Sequence, residues 1–329
     1  MRSLIPVLLL LLAVSFAVYR VVHMPGASHR GALSPLTAEE RVSATRLERH
    51  VTALAEDIGP RNHQDQRSYT AATRYIEEAF ERLGYRVEGQ DYTPGTRPAR
   101  NIEATLLGSE LPGQIIVIGA HYDSVSGCPG ANDNASGVAG LLEAAALLGK
   151  TKPRRTLRFV AFANEEPPYF KQPTMGSLVY ARRCAERRED VIGMLSLETI
   201  GFYSDAPGSQ AYPPPFSFFY PSEANFIAFV GDDASRQLVH RSIASFRSHT
   251  EFPSEGIAAP GHIPGISWSD HWSFWQVGIP AVMVTDTAPF RYRWYHTKGD
   301  RADKLDYARM SRVVAGVTRV IADLAEAGF

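Results

Sequence analysis

The chain has 329 residues and a mass of 36.2 kDa, room for one large or two small domains. Hydrophobic residues make up 44% and charged residues 21%, which excludes collagenous, disordered and polytopic membrane classes. The net charge of −1 carries neither a nucleic-acid footprint nor a polybasic membrane surface, so function has to be read from local motifs.

In chain order, residues 1–22 form a signal or signal-anchor segment. A basic start, Met1-Arg2, precedes the apolar run Leu4 to Tyr19, which suits an export signal and is slightly short of the roughly 20 residues that span a bilayer core. No good small-x-small cleavage site follows. The expectation is therefore an exported, extracytoplasmic protein, secreted or held by a single-pass anchor. Residues 23–35, with their Gly, Pro and Ser, read as a linker, and residues 36–329 as the folded domain. Export would place Cys128 and Cys184 where a disulfide can form, although sequence cannot bring their Cα atoms within range.

The domain opens with a helical pattern over Leu36–Asp57, with Thr37 and Glu40 placed as a capping box. A second helix spans Ser68–Leu83 and ends at Gly84. Strands are expected at Asn101–Leu107 and Gln114–Gly119, a helix at Ala135–Leu148, a strand at Leu157–Ala163, a helix at Met175–Arg187 and a strand at Val191–Ile200. Strand, helix, strand and helix then follow at Phe226–Val230, Ser235–Phe246, Pro280–Thr285 and Tyr307–Ala327. This alternation predicts one α/β domain with helices on both sheet faces. Tyr203–Ser222, rich in Pro, Ser and aromatics, reads as a long loop of the kind that binds ligands.

Polar clusters stand where strands end. His121-Tyr122-Asp123 and Gly130–Gly137 follow the QIIVIG strand, Asn164-Glu165-Glu166 follows LRFVAFA, and Glu198 closes Val191–Ile200. Trp294-Tyr295-His296 follows the last strand. In open α/β sheets ligands bind beyond the carboxyl ends of the strands, so these clusters can converge. Their His, Asp and Glu side chains form a nitrogen–oxygen donor set suited to zinc. Successive side chains of an extended segment point different ways, so Glu165 and Glu166 can divide their labour. Asp270 and His271 have two readings, as pocket wall behind the site or as the start of a short helix. Trp268, Trp272, Phe274 and Trp275 are pocket or core. Asp300, Asp303 and Asp306 read as loop and cap residues, and His23, His29, His50, His63, His240, His249 and His262 have no ligand-like context.

The stretches AHYDSV, PGANDNASG, FANEE, LSLETIG, SDHWSFW and YHTKGDRADKLDY, with IGPRN near Ile58, resemble the M28 family of co-catalytic di-zinc aminopeptidases. The resemblance implies a three-layer α/β/α sandwich around a mixed, mostly parallel sheet, two zinc ions per chain and a peptide substrate. It implies that His121 and Glu198 ligate one zinc, Glu166 and His296 the other, and that Asp133 bridges both. Glu165 would be general base to a water held between the metals, Asp123 would orient His121, Asp270 would stand behind the ligands, and Tyr295 would hydrogen-bond the tetrahedral intermediate. A cis peptide is implied after Asp133. Glu198 stands where many members have Asp, and the short spacing between motifs leaves no room for an insert domain. Two alternatives remain at this point: a single-zinc acyltransferase of the glutaminyl cyclase type, and an inactive peptide-binding ectodomain.

Overall fold

A computed structural model describes residues 4–327; the basic start at Met1-Arg2 lies outside them. The apolar N-terminal run is a helix, α1 (Leu4–Val22), with Leu8–Leu12 exposed and Val21 packed against the edge of the domain. Among the described residues no helix is long and apolar enough to cross a membrane.

Helix α2 (Ala38–Thr52) starts with the expected capping box: Thr37 Oγ1 accepts from the Glu40 N–H and the Glu40 carboxylate accepts from the Thr37 N–H. It runs into one wider turn at Ala53–Ile58, ended by Gly59 at φ 81°. Helix α3 (Gln66–Arg82) is capped by Asp65. The strands are β1 (Val87–Tyr92), β2 (Ala99–Leu106), β3 (Leu111–His121), β4 (Arg155–Phe162), β5 (Asp190–Glu198), β6 (Ile227–Gly231), β7 (Ser254–Ala258) and β8 (Ala281–Thr285). They form one sheet in the order β1-β2-β4-β3-β5-β8-β6-β7. The central strands β4, β3, β5 and β8 are mutually parallel, β1 and β2 add antiparallel at one side, and β6 with β7 runs antiparallel to β8 at the other. The remaining helices are α4 (Gly137–Leu148), α5 (Gly176–Glu186), α6 (Arg236–His249), the single-turn α7 (His271–Trp275) and α8 (Tyr307–Glu326).

Strand parity divides the core. Ile116 and Ile118 of β3 face a large cluster with α2, α3, α4, α6 and α8, whereas Ile115 and Val117 face a smaller one with α5 and α7. The result is the expected three-layer α/β/α sandwich. Two edge strands escape the sequence reading. VEGQDY and SEGIA carry charges and glycines instead of an apolar run, because an edge strand is held by backbone pairing on one side. The disulfide is not formed: Cys128 and Cys184 are free buried thiols. Cys184 packs between the sheet and α5, while Cys128 Sγ sits 2.9 Å from the Thr297 carbonyl oxygen in the loops above the sheet.

Candidate metal centre

The carboxyl ends of β3, β4 and β5 bring the predicted residues together. His121 is the last residue of β3 and Glu198 the last of β5; Glu165 and Glu166 follow β4. Asp133 lies in the turn between β3 and α4, and His296 arrives from the loop before α8. His121 Nε2 lies 3.2 Å from Glu198 Oε2 and 3.3 Å from Asp133 Oδ1. On the other side of the same aspartate, Oδ2 is 3.0 Å from His296 Nε2, which is 3.4 Å from Glu166 Oε2. Two triads, His121–Asp133–Glu198 and Asp133–Glu166–His296, thus share one carboxylate.

Each triad fits a divalent cation. His121 Nε2 and Glu166 Oε1 are buried and hydrogen-bonded to nothing, despite the oxygens around the imidazole. Burial, together with Asp133 and Glu165, pushes the Glu166 carboxyl well above its usual range. Burial first, then Glu198, Asp270 and Asp123, does the same to Glu165. Burial also raises Glu198. Asp133 goes the other way, since the imidazoles of His121 and His296 outweigh its burial. A cation would relieve this concentration of negative charge, and imidazole with carboxylate oxygen is a donor set zinc accepts.

The surrounding backbone explains how the ligands are held. Asp133-Asn134 is a cis peptide, as the resemblance implied. The Asn134 amide accepts from the Gly137 and Thr199 N–H groups and donates to the Leu197 carbonyl, tying this turn to the end of β5. Gly130 enters the turn at φ 62°; a Cβ there would lie 2.3 Å from the Asp133 carbonyl oxygen, so only glycine fits. His296 adopts φ 57°, an uncommon backbone for a residue with a side chain.

Asp123 stands beside the His121 ring and also holds the Glu165-Glu166 turn. Its Oδ1 accepts from the Glu165 N–H at 3.0 Å and its Oδ2 from the Glu166 N–H at 3.1 Å, so the carboxylate fixes the Glu165-Glu166 turn. The His121 ring points Nδ1 at Asp123, with the carbonyl oxygen 3.2 Å away and the carboxylate at 3.5 Å. A proton on Nδ1 leaves Nε2 free as a donor to metal. Asp270 precedes α7 but its side chain caps nothing; both oxygens are buried and unpartnered, and burial pushes its carboxyl up to about 7. His271 bonds the Ile266 carbonyl at 2.7 Å and is held neutral by burial, its pKa lowered to about 4. Tyr295 stacks on the His296 ring, centroids 3.9 Å apart, and burial next to Asp133 keeps its phenol protonated far above the usual range.

Three supporting residues were not legible as such. Asp300, read from sequence as a loop residue, is fully buried and accepts the N–H groups of Asn132 and Asp133 and the Tyr292 hydroxyl. Ser269 donates to Glu198 Oε2 at 2.7 Å. Arg61, from IGPRN, is fully buried and donates to the carbonyls of Tyr122, Pro129 and Gly130, fastening the loop after β3. Each acts through backbone or a ligand, which spacing does not reveal. Of the other histidines, His63 bonds Tyr169 and Pro98, His50 bonds Tyr75 and His249 bonds Asp323. Beside Glu198 and Tyr295 opens an apolar cleft, walled in part by the 203–222 loop and by Trp268. Phe274 belongs to the core, Trp275 packs at the core's margin, and Trp272 lies over Lys171.

Paired imidazole–carboxylate triads at the carboxyl edge of a parallel α/β sheet are the layout of a metal-dependent hydrolase. The family model for Peptidase family M28 matches residues 101–321, and the chain belongs to this family. It is 42% identical over 288 residues to an uncharacterized Escherichia coli protein, YfbL, covering 85% of this chain and 88% of that one. Its fold is similar to that of a zinc aminopeptidase from Bacillus subtilis, with a TM-score of 0.69, 16% identity and coverage of 85% and 95%. It is also similar to a glutaminyl cyclase from Bacteroides thetaiotaomicron, with a TM-score of 0.64, 18% identity and coverage of 89% and 99%.

Proposed function

We propose that the protein is a zinc-dependent aminopeptidase that removes N-terminal residues from peptides. The observation that carries this reading is the single Asp133 carboxylate between two triads of metal-binding type, with Glu165 beside them. His121, Glu198 and Asp133 would hold one zinc ion, and Glu166, His296 and Asp133 the other. Such a pair of ions polarises a carbonyl and acidifies water.

The chain's own residues supply the rest. Glu165, its Oε2 4.0 Å from His121 Nε2, takes the proton of the attacking water as the new C–O bond forms. Its position beside the ligands places it to hold that proton. It passes the proton to the amine nitrogen as the C–N bond breaks, the double use expected of one positioned carboxylate. Tyr295, protonated and ordered by stacking on His296, donates to the developing oxyanion. Asp123 keeps Glu165 in register through the two N–H groups it accepts. Asp270 stands behind the site as a buried acidic neighbour of Glu198 and Glu165.

Export is part of the proposal: α1 would serve as the signal and keep the catalytic domain, residues 36–329, at the outer face of the membrane. Fractionation of the full chain, followed by alkaline washing of membranes, tests this. The activity itself is tested with a panel of aminoacyl-p-nitroanilides with and without chelator. Chelator-sensitive release supports the reading, and no release from zinc-loaded protein refutes it.

A further inference from the structure

The cleft beside the metal centre has a direction set by strand register. Glu198 of β5 pairs with Thr285 of β8, Thr285 with Ala228 of β6, and Ala228 with Glu255 of β7. Paired residues on adjacent strands project to the same face, and all four line the cleft. At about 4.8 Å per strand, three steps set Glu255 roughly 14 Å from Glu198, measured between Cα atoms. The floor between the two carboxylates is apolar and low at Ala228, flanked by the next row, Met283, Val230 and Ile257. Aromatic walls close it: Tyr212 stacks on Tyr220 with centroids 5.7 Å apart, and Trp268 on Phe290 at 6.2 Å. The cleft is thus a slot with the reaction centre at one end and one acid at the other.

Glu255 has no ion-pair partner among the described residues. Arg247, the basic group that most affects it, spends its guanidinium on Ser254 Oγ and on the carbonyls of Ser254, Pro25 and Gly26. Arg30 is exposed and more distant in effect, and the Ser28 hydroxyl is the carboxylate's hydrogen-bond partner. A half-buried acid at the end of an apolar slot is stabilised further when a cation meets it. The Glu198 and Glu255 side chains each take up part of the span. What remains suits an extended lysine or arginine, which reaches roughly 6 Å from Cα to its terminal nitrogen by bond length. Aromatic walls accept both the alkyl stem and a cation.

We propose that this slot receives the side chain of the substrate's N-terminal residue and that Glu255 selects lysine or arginine there. The inference rests on the aminopeptidase reading above and narrows its substrate class. Its alternative is a slot for large apolar side chains, in which Glu255 keeps its hydrogen bond to Ser28 and meets no substrate cation.

The test compares kcat/KM for lysyl-, arginyl-, norleucyl- and phenylalanyl-p-nitroanilide in the zinc-loaded full chain and its Glu255→Gln variant. Norleucine has the lysine stem without the charge, so the lysine-to-norleucine ratio isolates the acid. The wild-type ratio should exceed one by about tenfold or more, and Glu255→Gln should lower that ratio at least tenfold, mainly through KM, as loss of a charge-assisted contact requires. A wild-type preference for norleucine or phenylalanine overturns the assignment while leaving the aminopeptidase reading intact. So does a ratio unmoved by Glu255→Gln. No turnover of any of the four overturns the assignment, and the wider aminoacyl panel then decides the aminopeptidase reading separately. A Glu255→Asp variant guards against a folding effect: it should retain part of the lysine preference that Glu255→Gln loses.

Discussion

Replacing Asp123 separates two ways in which a carboxylate can support a metal site. Its two oxygens accept the backbone N–H groups of Glu165 and Glu166 at 3.0 and 3.1 Å, and the residue is buried. Asp123→Asn keeps one acceptor and turns an NH₂ toward the other N–H, so one hydrogen bond to a charged acceptor is lost and a buried donor is orphaned. That costs about 1.5–3 kcal/mol, and Asp123→Ala, which orphans both donors, about 3–6 kcal/mol. Urea unfolding in excess chelator measures this without any contribution from bound metal. In the zinc-loaded enzyme the same variants should lower kcat, since the Glu165-Glu166 turn is no longer fixed. If Asp123→Asn unfolds within about 0.5 kcal/mol of wild type while its zinc affinity collapses, the carboxylate acts through the His121 imidazole and the role assigned here is wrong.

Further outcomes follow from the same geometry. Glu165→Gln should retain its zinc by elemental analysis yet lose turnover by about 10²–10⁴-fold, the range for a general acid–base; near-normal turnover would remove Glu165 from the mechanism. Asp133→Ala should lose zinc from both triads, because each draws on that carboxylate; retention of either ion with native affinity contradicts the shared ligand. Metal-free protein should lose stability as pH rises from about 4 to about 7. Asp270 and Asp300 are raised from 3.8 to about 7, mainly by burial, and Glu165, Glu166 and Glu198 are raised as well, so the folded chain holds protons there that the unfolded chain releases. These five carboxyls outweigh His50 and His271, which are lowered to about 4 and act in the opposite sense. Chelated samples melted across this range give the slope, and a rising stability would contradict the sign. Thiol counting on denatured, unreduced protein should find both cysteines reactive, and a reductant should leave the melting temperature unchanged.

The strand-end clusters were legible in the sequence because every ligand but His296, which comes from a long loop, sits next to a recognisable apolar strand or helix. His121 follows QIIVIG, Glu165 and Glu166 follow LRFVAFA, and Asp133 precedes the apolar α4. The parallel centre of the sheet was legible for the same reason. The sheet margins were not: β1 and β7 are short, polar and held by backbone pairing, so side-chain periodicity is silent there. Roles that pass through the backbone were equally hidden. Asp123 and Asp300 differ little from surface acids until the N–H groups they accept are in view. Glu255 follows a proline and a serine with no motif around it, and gains meaning only through the register that aligns it with Glu198. The disulfide expectation rested on compartment alone, and compartment says nothing about which side of a sheet a cysteine occupies.

The central claim is that two cations, shared through Asp133, make this chain an aminopeptidase. Titration of chelated protein with zinc, reading heat and aminoacyl-p-nitroanilide hydrolysis on the same samples, tests it most directly. The account predicts two equivalents bound per chain, with activity returning as both sites fill. Saturation at a single equivalent, or hydrolysis that survives exhaustive chelation, would contradict it.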